Sequence, residues 1–167
     1  MRYSNGSSES AAARVDFRHH WQAWPFGDRD YHWRMDLTEA ADLRGIKVMV
    51  VDDSNTIRRS AEIFLVQAGC QVLLAEDGFD ALAKIADHQP AVIFCDILMP
   101  RLDGYQTCAL IKKNQRFRAT PVIMLSSKDG LFDRARGRMV GSDHYLTKPF
   151  TKESLLKAVA AYAPPAS

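Results

Sequence analysis

Five times between residues 44 and 163, a short run rich in β-forming residues is followed by a segment of helical periodicity. This alternation limits the fold more than any other feature of the chain. The runs are "IKVMVV" (46–51), "CQVLLA" (70–75), "AVIFC" (91–95), "PVIML" (121–125) and "DHYLT" (143–147). Between them, Ile57, Ala61, Phe64 and Ala68 recur at steps of three and four, with Ser54 or Asn55 as the cap. Ala81, Leu82 and Ile85 do the same in 78–87, and Tyr105, Cys108 and Ile111 mark a third helix. Residues 130–139 give a weaker fourth. Leu155, Val159 and Tyr162 mark the fifth, capped by Thr151 and stopped by Pro164 and Pro165. Five strands alternating with five helices imply a parallel sheet covered on both faces. Right-handed crossovers then point to an α/β, doubly wound fold.

Residues 1–34 differ in kind. They lack Leu, Ile, Lys, Thr and Cys, yet hold all three Trp (Trp21, Trp24 and Trp33). "YSNGSSESAAA" is small and polar, and "HHWQAWPFGDRDYHW" is aromatic without a helical or strand period. The expected organisation is therefore an irregular N-terminal extension over 1–43, a folded domain over 44–163 and a tail over 164–167. The extension is read either as disordered or as sequence upstream of a start at Met35. "WQAWPF" carries the large aromatics that anchor in partner grooves. His19, His20 and His32 have no metal-specific spacing.

Composition excludes several function classes. A net charge of +2 gives no reason to expect a polyanion partner, and no helix-turn-helix pattern appears, so direct nucleic-acid binding is not expected. No apolar stretch reaches the ~18–20 residues of a membrane span, so membrane insertion is not expected either. Cys70, Cys95 and Cys108 are an odd number without metal-ligand spacing and read as thiols in a reducing cytoplasm.

In such a sheet, ligand chemistry sits outside the carboxyl ends of the strands. Asp52 and Asp53 follow the first run, Asp96 the third, Ser126 and Ser127 the fourth, and Lys148 and Pro149 the fifth. Each alone has an ordinary explanation: a lone Asp after a strand usually caps a helix, Ser126 suits a turn, and Lys148 suits a solvated loop. Together they bring three carboxylates, a hydroxyl and an ammonium to one edge. Carboxylates that close repel one another, and a hard divalent cation such as Mg²⁺ relieves the repulsion. Asp53 and Asp96 are the natural ligands, with Asp52 direct or through water. A carboxylate there can attack phosphorus and become an aspartyl-phosphate, with Lys148 stabilising the transferring oxygens and Ser126 donating to them.

The segments "VVDDS", "AEDGFDALAKI", "CDILMPRLDGYQ", "MLSSKDG" and "YLTKPF" resemble, in this order and spacing, the receiver domain of two-component response regulators. The likeness covers about 44–163. It implies the flavodoxin-like strand order 2-1-3-4-5 and Asp96 as the phosphorylated residue. It also implies Mg²⁺ held by Asp52, Asp53, Asp96 and the backbone carbonyl of Leu98, and a cis bond between Lys148 and Pro149. Ser126 and Tyr145 would be the switch pair, and the output surface would be the fourth helix, fifth strand and fifth helix. "RRSAEIFLVQAGC", "PRLDGYQTCALIK" and "TPVIMLSSKDGLFDRARGRMVGSDHYLTKPF" resemble, more narrowly, the stand-alone receivers of type IV pilus (twitching motility) chemosensory systems.

The implied partners are a chemotaxis-type sensor histidine kinase as phosphodonor and a downstream pilus motor or polar regulatory protein. The implied location is the cytoplasm, with recruitment to the cell pole. The expected activity is that of a switch that catalyses only its own phosphoryl transfer and dephosphorylation. The alternatives are a phosphate sink, a receiver acting on transcription through a partner, and a phosphotransferase using Asp96 covalently. The last would need a substrate pocket that the short loops do not supply. Leu98 and Lys128 cannot hydrogen-bond an attacking water as acceptors, which predicts slow loss of phosphate. Arg134, Arg136 and Arg138 make the fourth helix basic. A solvated face is the ordinary reading of that pattern, and an acidic partner is the other.

Overall fold

The computed structural model describes residues 41–127 and 131–164, and the N-terminal aromatic segment, Lys128 and the last three residues lie outside them. The elements alternate as expected: β1 (Lys47–Val51), α1 (Asn55–Gln67), β2 (Gln71–Ala75), α2 (Gly78–His88), β3 (Val92–Asp96), α3 (Gly104–Lys113), β4 (Val122–Ser126), α4 (Leu131–Met139), β5 (His144–Thr147) and α5 (Lys152–Tyr162). The five strands form one parallel sheet in the order β2-β1-β3-β4-β5. This is the flavodoxin-like, doubly wound α/β arrangement.

Strand periodicity divides the core into two layers. Met49, Val51, Ile93, Cys95, Val122 and Met124 face one side and pack with Ala81 and Ile85 of α2 and Tyr105, Cys108 and Ile111 of α3. Val48, Val50, Val92, Phe94, Ile123 and Leu125 face the other and pack with Ala61 and Leu65 of α1 and Leu155 and Val159 of α5. Leu43, ahead of β1, is buried in this second layer. In α1 the fully buried residues are Ala61 and Leu65. Of the expected Ile57, Ala61, Phe64 and Ala68, Ala61 is at the centre of the buried face and Phe64 and Ala68 are partly buried against the same layer. All three cysteines are buried free thiols. Among the described residues no helix is long and apolar enough to cross a membrane.

Helix starts are set by local chemistry. Ser54 caps α1, with its side chain accepting from the Ile57 amide at 3.4 Å. Asp77 caps α2, Asp103 closes a capping box with Gln106 on α3, and Thr151 does so with Ser154 on α5. These caps fix where each connection leaves the carboxyl edge of the sheet, and so position the residues described next.

Candidate functional site

The strand order reverses between β1 and β3, and in open α/β sheets that switch point opens a crevice at the carboxyl ends. Asp52 and Asp53 leave β1 there, and Asp96 is the last residue of β3. Asp96 and Ser126, expected just after their strands, lie inside them, because the pairing of β3 with β4 continues through Asp96 and that of β4 with β5 through Ser126. One carboxylate oxygen from each of Asp52, Asp53 and Asp96 lies within 4.8 Å of the other two. Asp52 and Asp96 are buried, whereas Asp53 is exposed.

Lys148, in the loop after β5, reaches across to this cluster. Its Nζ donates to Asp96 Oδ1 at 2.9 Å and to Asp52 Oδ2 at 3.2 Å. Its backbone is tied to the site as well, since Lys148 N donates to the Ser126 carbonyl at 2.6 Å. The Lys148–Pro149 peptide bond is cis. Asp52 is further held by Ser54 N, which donates to its Oδ1 at 2.8 Å, and by Arg58 Nη1, which donates to its carbonyl oxygen at 2.5 Å.

Burial raises the pKa of Asp96 to about 6. The hydrogen bond from Lys148 opposes this, and the charges of Asp52 and Asp53 add to it. For Lys148, burial acts to lower the pKa, but the hydrogen bond to Asp96 and the charges of Asp52 and Asp96 outweigh it and leave the ammonium more basic than usual. The cluster thus carries excess negative charge on hard oxygen donors at close range. That donor set fits Mg²⁺, which binds through a few carboxylates and keeps part of its water shell.

The remaining predicted residues lie on β4, β5 and the loop after β3. Ser126 is buried at the end of β4, the neighbour of β3. Leu98, two residues past Asp96, turns its side chain outward and is 67% exposed. Tyr145 lies on β5, half-buried against the α2–α3 layer, with the guanidinium carbon of Arg134 5.4 Å from its ring centroid. Arg136 likewise sits over the Tyr105 ring at 4.4 Å. All three arginines of α4 are exposed, as a solvated face requires, and two of them also cover tyrosine rings, because guanidinium groups stack on aromatic faces.

Gly104 is a supporting residue that sequence reasoning did not single out. A Cβ there would collide with the carbonyl oxygen of Asp96, and Gly104 N donates to the Ile97 carbonyl at 2.9 Å. The glycine of "LDG" lets the start of α3 press directly on the backbone of β3 at Asp96. A glycine after Asp was a visible signal, but its meaning depended on what lay across from it.

Comparison with known proteins agrees with this geometry. The family model of the response regulator receiver domain matches residues 48–160. The chain is 71% identical over 120 residues to Protein PilG of Pseudomonas aeruginosa, covering 72% of this chain and 89% of that protein. It is 37% identical over 116 residues to Response regulator MprA of a Mycobacterium species, and spans about half the length of that relative (50%) and 70% of its own. Among solved structures, the chemotaxis protein CheY4 of Vibrio cholerae superposes with a TM-score of 0.68 at 34% identity, covering 71% of this chain and 98% of that one.

Proposed function

Because the chain belongs to the response-regulator receiver family, we propose that it is a phosphorylation-controlled binding switch whose acceptor is Asp96. The receiver is assigned to 44–163, with 1–43 as an extension and 164–167 as a tail. The observation that carries this reading is the Lys148 ammonium bonded to both Asp96 and Asp52, inside a cluster whose three carboxylate oxygens lie within 4.8 Å. A structural ion pair needs one carboxylate. The surplus calls for a cation and for a reaction that uses charge.

Asp52, Asp53 and Asp96 would hold Mg²⁺ together with the Leu98 carbonyl. Bound there, the ion would neutralise charge on the transferring phosphoryl oxygens. An Asp96 oxygen attacks the phosphorus of a phosphohistidine on a sensor kinase. The phosphorus–nitrogen bond breaks as the phosphorus–oxygen bond forms, and the departing imidazole nitrogen takes up a proton. Lys148 favours the ionised, nucleophilic form of Asp96 beforehand and pairs with the phosphoryl group afterwards. Ser126 donates its hydroxyl to the new phosphate, and Tyr145 follows it inward. The surface formed by α4, β5 and α5 then changes its affinity for a downstream protein.

The similarity to Protein PilG and the pilus-type wording of the motifs support a place in the control of type IV pilus twitching motility. The donor would be a chemotaxis-type kinase, and the target a pilus motor or polar regulatory protein in the cytoplasm or at the pole. The exposed Leu98 side chain favours a lasting signal over a phosphate sink, since it offers no hydrogen bond to hold an attacking water.

The test is to incubate the full chain with Mg²⁺ and acetyl phosphate and follow intact mass. Addition of one phosphoryl group, absent in Asp96→Asn, supports the reading. An unlabelled wild type, or a labelled Asp96→Asn, overturns it.

A further inference from the structure

Between Asp96 and α3 the chain reverses direction while carrying Leu98 past the acidic cluster. Arg101 in this loop has φ 68°. Residues with a Cβ are strained there, and glycine or asparagine is the comfortable choice. Strain of this kind persists only where the surroundings hold it, and it gathers at functional sites.

Two contacts hold Arg101. Its Nη2 donates to Asp77 Oδ2 at 2.7 Å. Its guanidinium carbon lies 5.7 Å from the centroid of the Phe79 ring. Asp77 is fixed in turn, because it caps α2 and its Oδ1 accepts from Asp80 N at 2.8 Å. The next residue closes the same interface. Leu102, with Thr107 of α3, packs so tightly on Gly78 of α2 that a Cβ on that glycine would collide with both. The loop is thus pinned from Asp96 at one end, through Gly104, and from the first turn of α2 along its middle.

Global stability does not explain the arginine. Its side chain is 68% exposed against 13% for Asp77, and an ion pair with one end in water stabilises a fold little. A glycine would make the turn without strain. We propose that Arg101 and Asp77 form a latch that fixes the β3–α3 loop in the conformation completing the cation and phosphoryl site, with Arg101 as a positioning residue. The inference rests on the reading of Asp96 given above and adds the residues that hold its loop ready. Outer residues that orient a metal's ligands commonly change affinity by about tenfold or more when removed.

The test compares the wild-type full chain with Arg101→Gly and with Asp77→Asn, which keeps a capping oxygen but loses the charge. Three quantities are read without phosphorylation: Mg²⁺ affinity by calorimetry, hydrogen exchange of loop amides 97–103 without metal, and the thermal midpoint. The latch predicts Mg²⁺ binding weakened about tenfold in both variants, faster loop exchange, and a midpoint for Arg101→Gly that is unchanged or higher. Mg²⁺ affinity within about twofold of wild type in both variants overturns it, as does weakening that merely tracks a lowered midpoint. So does a wild type that binds no Mg²⁺. A wild type that binds Mg²⁺ but takes no label from acetyl phosphate defeats the phosphoacceptor reading alone, while the affinities of the variants still decide the latch.

Discussion

Along the carboxyl edge of the sheet, the central β1–β3 stretch and the outer β4–β5 stretch are built differently. At the first, Asp52 and Asp96 are buried, Lys148 bridges them, Ser54 and Arg58 hold the Asp52 loop, and Gly104 lets α3 press on the backbone of Asp96. At the second, Tyr145 is half-buried, the arginines of α4 reach over aromatic rings from solvent, and Met139 at the end of that helix is 86% exposed. Regions with few buried contacts open at low free-energy cost, and switching elements are drawn from them. On the proposed function, the contrast would divide the two halves of a switch: a stiff edge would register a change of charge, and a soft edge would move in response.

The largest effect that sharpens this contrast is expected at the bridge. Lys148→Ala should slow labelling by acetyl phosphate about a hundredfold, since it removes the resident cation facing the transferring oxygens. A time course of intact mass measures it, and a near-normal rate would show that the stiff edge does not depend on the lysine.

The next effect concerns stability. With a folded pKa of about 6 against the ordinary 3.8, Asp96 binds more protons folded than unfolded between those values. Stability therefore falls as pH rises through that window, and the full cost is present at pH 7. Asp96→Asn should stabilise the metal-free protein at pH 7 by about 1–3 kcal/mol in urea unfolding. The gain should fade toward pH 4 and shrink when Mg²⁺ is added. A destabilised Asn variant at pH 7 would mean that the carboxylate serves the fold.

A smaller change is expected from Leu98→Asn. It supplies a hydrogen bond to an attacking water and should shorten the phosphoryl lifetime about fivefold to tenfold, up to ~1.4 kcal/mol in barrier. Decay of the labelled mass after donor removal reads it, and an unchanged lifetime would place that water elsewhere. The smallest effect belongs to the soft edge. Arg134→Ala removes a cation–π contact and should cost about 0.5–1 kcal/mol. Hydrogen exchange should quicken in α4 and stay unchanged in β1 and β3.

Most of the scaffold could be read from periodicity. All five strands lie within one residue of the segments picked out by apolar runs, and Tyr105, Cys108, Ile111, Leu155 and Val159 are buried where their spacing put them. The acidic cluster was legible because strand ends converge in this fold, so the adjacent Asp52 and Asp53 and the distant Asp96 could be brought together before any coordinates. What stayed hidden depends on contacts across the sheet. The two hydrogen bonds of Lys148 to Asp96 and Asp52 require β5 to lie two strands from β3. The positive φ of Arg101 leaves no mark in "MPRLDG", where Pro, Asp and Gly announce a turn but not which residue bears its strain. The stacking of Arg134 on Tyr145 pairs residues of a helix and a strand whose facing only the fold decides.

The claim that charge added at the stiff edge moves the soft one has a direct test. Hydrogen exchange is compared with and without acetyl phosphate, in Mg²⁺, with intact mass recorded from the same samples. The expected result is one phosphoryl group per chain and altered exchange concentrated in β4, α4 and β5, with β1 and the body of β3 unchanged. A labelled protein whose exchange is the same everywhere, or changes only in α1 and α2, would contradict it.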